Sequence, residues 1–407
     1  MLLVFLVCSL NLWGKEMPAT EYSSSFLGRI TIRRNQVISM DGTHELELED
    51  IEVFKKNVAD RFTDLLSPPD EVICTEPLMS ISWLRKLLDV FLSCEAEFKA
   101  VFIMGRDPSQ ICKPPLDRLI PEFMERAVKA LDICNAVSSG IDSVQQCQKL
   151  AEIVVSALEQ KPIGEGQVNR AKKALSSLLT AMMVDDKENH CKGAERTWSF
   201  GRRGNTAGAS KERATGNFRS LSMIVAKNWS ASKQIQAMCS NLVAPRGVEP
   251  TGLAAPVYIM STVMVFVMWT LVAAVPCQDR GGLASHFQIP RNLVWGQSMS
   301  GLQEKIAEEW KKKEKKCSAG LLQEMQRMEM LGQSLFEFAD GFQFPTETQK
   351  MDEVRTQVAE LAGICRRMEE GLVPLQMQIR EVFHRIVGSR SQVLELVDAD
   401  KVSQLVV

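Results

Sequence analysis

The chain has 407 residues, of which 45% are hydrophobic and 24% charged, with a formal net charge of −2. That balance supports a sizeable core, and it excludes both an extended disordered chain and a whole-chain basic field for nucleic acid. Leu, Met, Ala, Glu, Lys and Gln dominate the long periodic stretches, and all are good helix formers.

Leu2 to Leu12 is apolar, but no basic residue precedes it and no small-residue cleavage site follows. We read residues 1–16 as an extension from an upstream start codon, ahead of the alternative start Met17, or else as an uncleaved apolar segment, and residues 17–42 as an N-terminal arm. The first helix is expected near 43–66, capped by Asp41 or Thr43, with Leu48, Ile51, Phe54, Val58, Phe62 and Leu65 as its stripe. A second, near 78–104, carries Ile81, Leu84, Leu88, Phe91, Phe98 and Phe102. A third, near 116–138, carries Leu116, Ile120, Phe123, Ala127, Leu131 and Cys134. Gly140 is expected to separate it from a fourth near 141–160, and Pro162 and Gly164 precede a fifth near 165–183. Connections this short favour antiparallel neighbours.

Apolar residues thin out over 185–217, where Gly, Ser, Asn, Lys and Arg take over, as in a disordered basic linker. Periodicity returns in a helix near 218–243. A long charged helix is expected to start at Ser300, which with Gln303 makes a capping-box pattern, and to break near Gly320. Pro345 and Thr346 open a helix near 347–370, and Pro374 opens the last, with Leu375, Ile379, Val382 and Ile386 as its face. The expected fold is all-α: a multi-helix bundle in two sub-bundles, 43–184 and 218–407, joined by the flexible linker.

Catalytic chemistry finds no foothold in the motifs. The histidines are His44, His190, His286 and His384; none is four residues from another, and no HExxH, GxSxG or phosphate-binding glycine loop occurs. The eleven cysteines lie at least thirteen residues apart, with no CxxC, and fit reduced core thiols better than a disulfide framework. We therefore expect no enzyme activity, cofactor, metal, nucleic acid or small-molecule substrate.

Three features carry functional content. Leu253 to Val275 has no charged residue, and as a helix it would be about 34 Å long, enough to cross a bilayer core of roughly 30 Å. Leu253, Val257, Ile259, Val263, Phe266, Trp269 and Leu271 are its candidate core- or lipid-facing residues. Balanced flanking charge gives no orientation, so a buried helix and a membrane span both stay open. Lys311, Lys312, Lys313, Lys315 and Lys316 are candidates for contact with an anionic membrane surface, against the alternative of a solvated helix face partly neutralised by Glu304, Glu308, Glu309 and Glu314. Ser199 and Ser222 each stand three residues after an Arg, a spacing that suits basophilic phosphorylation and is also common by chance.

The stretches SFLGRITIRRNQV at 25–37, SISWLRKLLDVFLSCEAEFKAV at 80–101 and MGRDPSQICKPPLDRLIPE at 104–122 carry a resemblance. So do RAKKALSSLL at 170–179, WSFGRR at 198–203, KQIQAMCSNLVAPRG at 233–247, GLQEKIAEEWKKKEKK at 301–316 and EGLVPLQMQIREVFHRIV at 370–387. Through them the chain, from about Met17 to near Leu396, resembles the plant Bypass-related family, in its branch of exocyst-interacting ROH-type proteins. The resemblance implies a non-enzymatic protein that binds a subunit of the exocyst, the vesicle-tethering complex, and modulates polarised secretion of wall or mucilage. It implies a cytoplasmic or membrane-associated location. The alternatives it leaves are a Bypass-type regulator restraining a root-derived mobile signal and a single-pass membrane protein.

Overall fold

The computed structural model describes residues 40–66, 77–103, 113–161, 163–182, 229–240, 251–277, 289–314, 320–342 and 348–405, together with Gly28, Ile111 and Leu242. Nine α-helices occur among them and no strand: α1 (Met40–Leu66), α2 (Ile81–Phe98), α3 (Leu116–Leu158), α4 (Glu165–Met182), α5 (Ala231–Cys239), α6 (Ala254–Ala274), α7 (Val294–Glu314), α8 (Gln323–Asp340) and α9 (Thr348–Leu405). A π-helical turn, Lys99–Ile103, continues α2, and its four residues Ala100 to Ile103 are all buried. The all-α expectation holds. The linker at 185–217, the N-terminal arm and residues 1–16 lie outside the described residues.

Several expected boundaries move, each for a local reason. Gly140 does not end a helix; α3 runs through it without interruption. A Cβ there would lie 2.6 Å from the carbonyl oxygen of Pro276 and 2.7 Å from Val275, so this glycine marks close approach of α3 to the end of α6. Ser300 does not cap α7, which starts at Val294. The buried spacing Trp295, Met299, Leu302, Ile306 carries that helix back past the capping-box pattern. Asp41 and Thr43 fall inside α1 rather than ahead of it. Leu48, expected in the α1 stripe, is 43% exposed. Helix α5 starts only at Ala231, where the Ser230 side chain accepts from the backbone N–H of Lys233, and ends at Cys239. Pro374 does not open a helix: it sits inside the 58-residue α9. The missing N–H there breaks one backbone bond, while the apolar seam continues on both sides.

Buried residues from before and after 185–217 share one core. Helix α9 packs along α3 and α2, α7 packs on α1, α8 packs on α4, and α5 packs on α3, so every late helix finds its main partner before the linker. Helix α6 lies in the middle, against α1, α2, α3, α5 and α7, and all 21 of its residues are buried. Its two threonine hydroxyls are satisfied within the helix: Thr262 donates to the Tyr258 carbonyl and Thr270 to that of Phe266, each at 2.9 Å. Its C-terminal carbonyls are closed from a distance. Gly320, at φ +80°, lets the chain turn so that Leu321 N–H donates to Ala273 (2.8 Å) and Leu322 N–H to Ala274 (3.0 Å).

Buried charges join the helices. Glu97 of α2 is fully buried and accepts from Arg61 of α1 (3.0 Å) and from Asn57 (3.2 Å). Glu324 of α8 accepts the N–H of Ile81 at 3.1 Å, so a carboxylate from a distant segment closes the N-terminus of α2 beside its own cap Ser80. Glu95 accepts from Ser389 of α9, with Arg385 at 3.6 Å. Burial pushes the Glu95 and Glu324 carboxyls above their ordinary values.

Candidate interaction surface

The apolar segment becomes core. Val257, Ile259, Val263, Phe266, Trp269 and Leu271 are buried, and Leu253, just before the helix, is half-buried. Phe266 meets Phe62 of α1 edge-on at 5.6 Å, and Tyr258 meets Trp295 of α7 edge-on at 5.9 Å. By length and composition α6 also suits a membrane span.

The lysine cluster is only partly visible. Lys311 and Lys312 are exposed at the end of α7, and Lys312 lies 2.7 Å from Glu309. The side chain of Lys313, with Lys315 and Lys316, lies outside the described residues, as do Ser199 and Ser222. Of the three sequence features, α6, Lys311 and Lys312 lie among the described residues.

Among the described residues, six cysteines are free: Cys94, Cys134, Cys147, Cys277 and Cys365 are buried and Cys239 half-buried. Burial pushes the Cys94, Cys134, Cys239, Cys277 and Cys365 thiols up to about 12 and Cys147 up to about 11. These thiols behave as small core hydrophobes and not as nucleophiles. No three His, Cys, Asp or Glu side chains among the described residues converge as a metal site.

The surface with the clearest design is the outside of α9. Its inner seam repeats in steps of four and three from Val354 through Leu361, Met368, Leu375 and Val382 to Val393, and every position is buried. That is a heptad pattern sustained for more than five repeats. A second seam, displaced by five residues and so about 150° around the helix, repeats the same steps on the outside. Its members are Val373, Met377, Arg380, His384, Val387, Ser391, Leu394 and Asp398, and all are exposed. Val373 and Met377 are 50% and 57% exposed, far more than an apolar residue on a helix flank needs.

Beside this seam a shallow cleft of about 190 Å³ opens between α3 and α9, lined by Cys134, Asn135, Ser138, Ile379, Arg380, Phe383 and His384. Gln376 donates to Asp142 of α3 at 2.9 Å and Gln378 to Asp89 of α2 at 2.7 Å, so α9 is held on both flanks and its orientation is fixed. The arrangement presents apolar side chains at helical spacing around Arg380 and His384. The inner seam of α9 was legible in the sequence from Leu375 onward; the outer one was not singled out. The signal was present: the same four–three spacing, offset by five residues.

Comparison with known proteins agrees with the resemblance. The ROH1-like family (Protein ROH1-like) matches residues 17–397. Protein ROH1A of Arabidopsis thaliana is 59% identical over 415 aligned residues, covering 96% of this chain and 100% of the relative. Protein ROH1D of the same plant is 44% identical over 402 residues, covering 94% and 98%. No solved structure matches the chain. The chain is a member of the ROH1-like family.

Proposed function

We propose that this protein is a non-enzymatic adaptor that binds an exocyst subunit and so modulates polarised secretion, with the outer seam of α9 as its docking face. One observation supports the reading above the rest: a rigid 58-residue helix carries two heptad seams and uses only one of them inside the bundle. A helix held by a full inner seam presents its other side without an ordering cost, which is what a docking face requires. The exocyst as partner comes from the family resemblance, and it is tested by purifying the tagged protein from plant cells. The wild type enriches exocyst subunits, and a Met377→Asp/Val387→Asp variant that is still folded loses them. Absence of any exocyst subunit from the wild-type eluate, under conditions that keep the complex intact, overturns the reading.

In this reading α6 is the central helix of a protein on the cytosolic side. What supports it is enclosure: α6 is covered on every side by helices from both halves of the chain, and opening that shell to lipid would expose the polar outer faces of α1 and α3. A bundle organised around α6 leaves alkaline carbonate extraction in the soluble fraction. Retention of nearly all the protein in the membrane pellet, without aggregation, rejects the core-helix assignment.

A further inference from the structure

We propose that the outer seam of α9 pairs with the same seam of a second copy of this chain, in antiparallel orientation. The inference shares with the functional reading only the idea that this face docks; it does not depend on which other partner binds.

The argument begins with polarity along the seam. Its cationic member, Arg380, lies toward the middle, and its acidic end holds Asp398, with Glu395 next to Leu394. A parallel pair of copies would set Arg380 on Arg380 and Asp398 on Asp398, two like-charge layers out of eight. Antiparallel pairing removes both.

The register follows from the same residues. In an antiparallel coiled coil the two kinds of seam position alternate across each layer, so the registers differ by one heptad and fall into two kinds. A register displaced by a heptad to either side of the centre pairs only six of the eight seam positions and leaves Leu394 or Met377 without an opposite seam member. The second kind is centred between Arg385 and Ile386 and pairs all eight. It sets Met377 against Leu394, His384 against Val387 and Arg380 beside Ser391, each layer occurring twice by the two-fold symmetry.

Within that second register Arg380 reaches along the groove toward Glu395 of the opposite copy, four residues past Ser391. The flanks are compatible as well. Glu381 faces Gly388, where a Cβ would meet only open space, and Arg390 faces the ring of Phe383. Polar meets apolar in the layers of His384 with Val387 and in the two end layers, Val373 with Asp398, which lie at the rim, where solvent reaches both. The paired stretch is about 37 Å long. A single two-helix seam of that length suits a reversible dimer with a Kd near the micromolar range rather than an obligate one.

The experiment is analytical ultracentrifugation of the purified full chain from about 1 to 100 µM, a range chosen around that Kd. The wild type shows a reversible monomer–dimer equilibrium. Met377→Asp and Leu394→Asp change exposed side chains, retain the wild-type circular dichroism and melting temperature, and raise the dimer Kd more than about tenfold by adding a buried, unpaired charge.

The sharper arm is a charge exchange. Arg380→Glu raises the Kd, and the double variant Arg380→Glu/Glu395→Arg restores it. Those two positions are 15 residues apart, about 22 Å along one rigid helix, so rescue can arise only between copies. A wild type that stays monomeric throughout overturns the proposal, whether the seam is bare or covered by the chain's own remaining segments. So does a dimer that Met377→Asp leaves intact, or a double variant no better than the single one. Because the protein is alone in this experiment, failure here leaves exocyst capture untouched, and failure of capture leaves the dimer untouched.

Discussion

Helix α6 has no outside, and helix α9 has two different sides. Every residue of α6 from Ala254 to Ala274 is buried, and its apolar residues follow no period because no direction needs to be polar. Helix α9 is nearly three times as long and alternates with a strict four–three rhythm, so that position alone decides whether a side chain belongs to the core. The first helix is held in place by being enclosed; the second is held by one seam and free to work with the other. The same helical geometry therefore yields a structural axis in one case and a presented surface in the other.

The comparison is tested most severely at the centre of α6. Val265→Arg puts an unpaired guanidinium where no exposure exists and costs more than about 4 kcal/mol, so soluble folded protein is lost and yield falls sharply. Recovery of a folded Val265→Arg protein would mean that α6 has an open side after all.

Helix α9 separates its two sides by neighbouring substitutions. Leu375→Ala, on the inner seam, lowers unfolding stability by about 2–5 kcal/mol, while Met377→Ala, two residues on, stays within about 0.5 kcal/mol. Urea denaturation measures both, and equal losses would erase the distinction between the seams.

Gly140→Ala probes where α3 crosses the end of α6. In an ordinary helix interior this change gains about 1 kcal/mol. Here the added carbon meets the Pro276 carbonyl, and the variant loses about 1–3 kcal/mol instead. A stabilised Gly140→Ala would show that the crossing has slack.

The smallest effect is on pH dependence where α9 meets α2. Burial holds the folded Glu95 carboxyl above its usual value, against the pull of Ser389, Lys99 and Arg385. Its preference for the protonated form therefore adds stability below the unfolded Glu pKa of about 4.3, and that stability is lost as pH rises through the folded value. Glu95→Gln removes the loss, so the melting temperature of the variant gains on the wild type as pH rises. A constant difference from pH 4 to pH 8 would show that the carboxyl titrates normally.

How far the sequence could be read follows the same division. Period is a local signal, so the stripes of α2 and α3 and the inner face of α9 from Leu375 were legible, and the expected core residues Leu84, Phe91, Phe123, Ile379 and Val382 are indeed buried. Punctuation was misleading because its meaning depends on distant partners. Gly140 reads as a stop until Pro276 is seen against it, and Pro374 reads as a start until the seam is followed through it. Long-range packing is illegible for the same reason: nothing local in α9 says that its inner seam fits α3, some 230 residues earlier. Whether the charge-free run is core or span was undecided from composition, since both environments ask for the same residues. The outer seam was overlooked because half of its positions are polar, and it becomes visible only when the inner seam supplies the phase.

The long-range cap on α6 has a consequence for how the chain is made. The carbonyls of Ala273 and Ala274 wait for Leu321 and Leu322, which leave the ribosome about 50 residues later, or some 2–10 s at ordinary translation rates. During that interval the most apolar helix of the chain has been synthesised without its lid, and its shelter is the surface of α1, α2, α3 and α5 already built. The early helices thus act as a cradle that must be ready before its occupant arrives. A substitution that slows their assembly would then be felt first not as a weaker fold but as a nascent chain diverted to chaperones or to the membrane-insertion machinery.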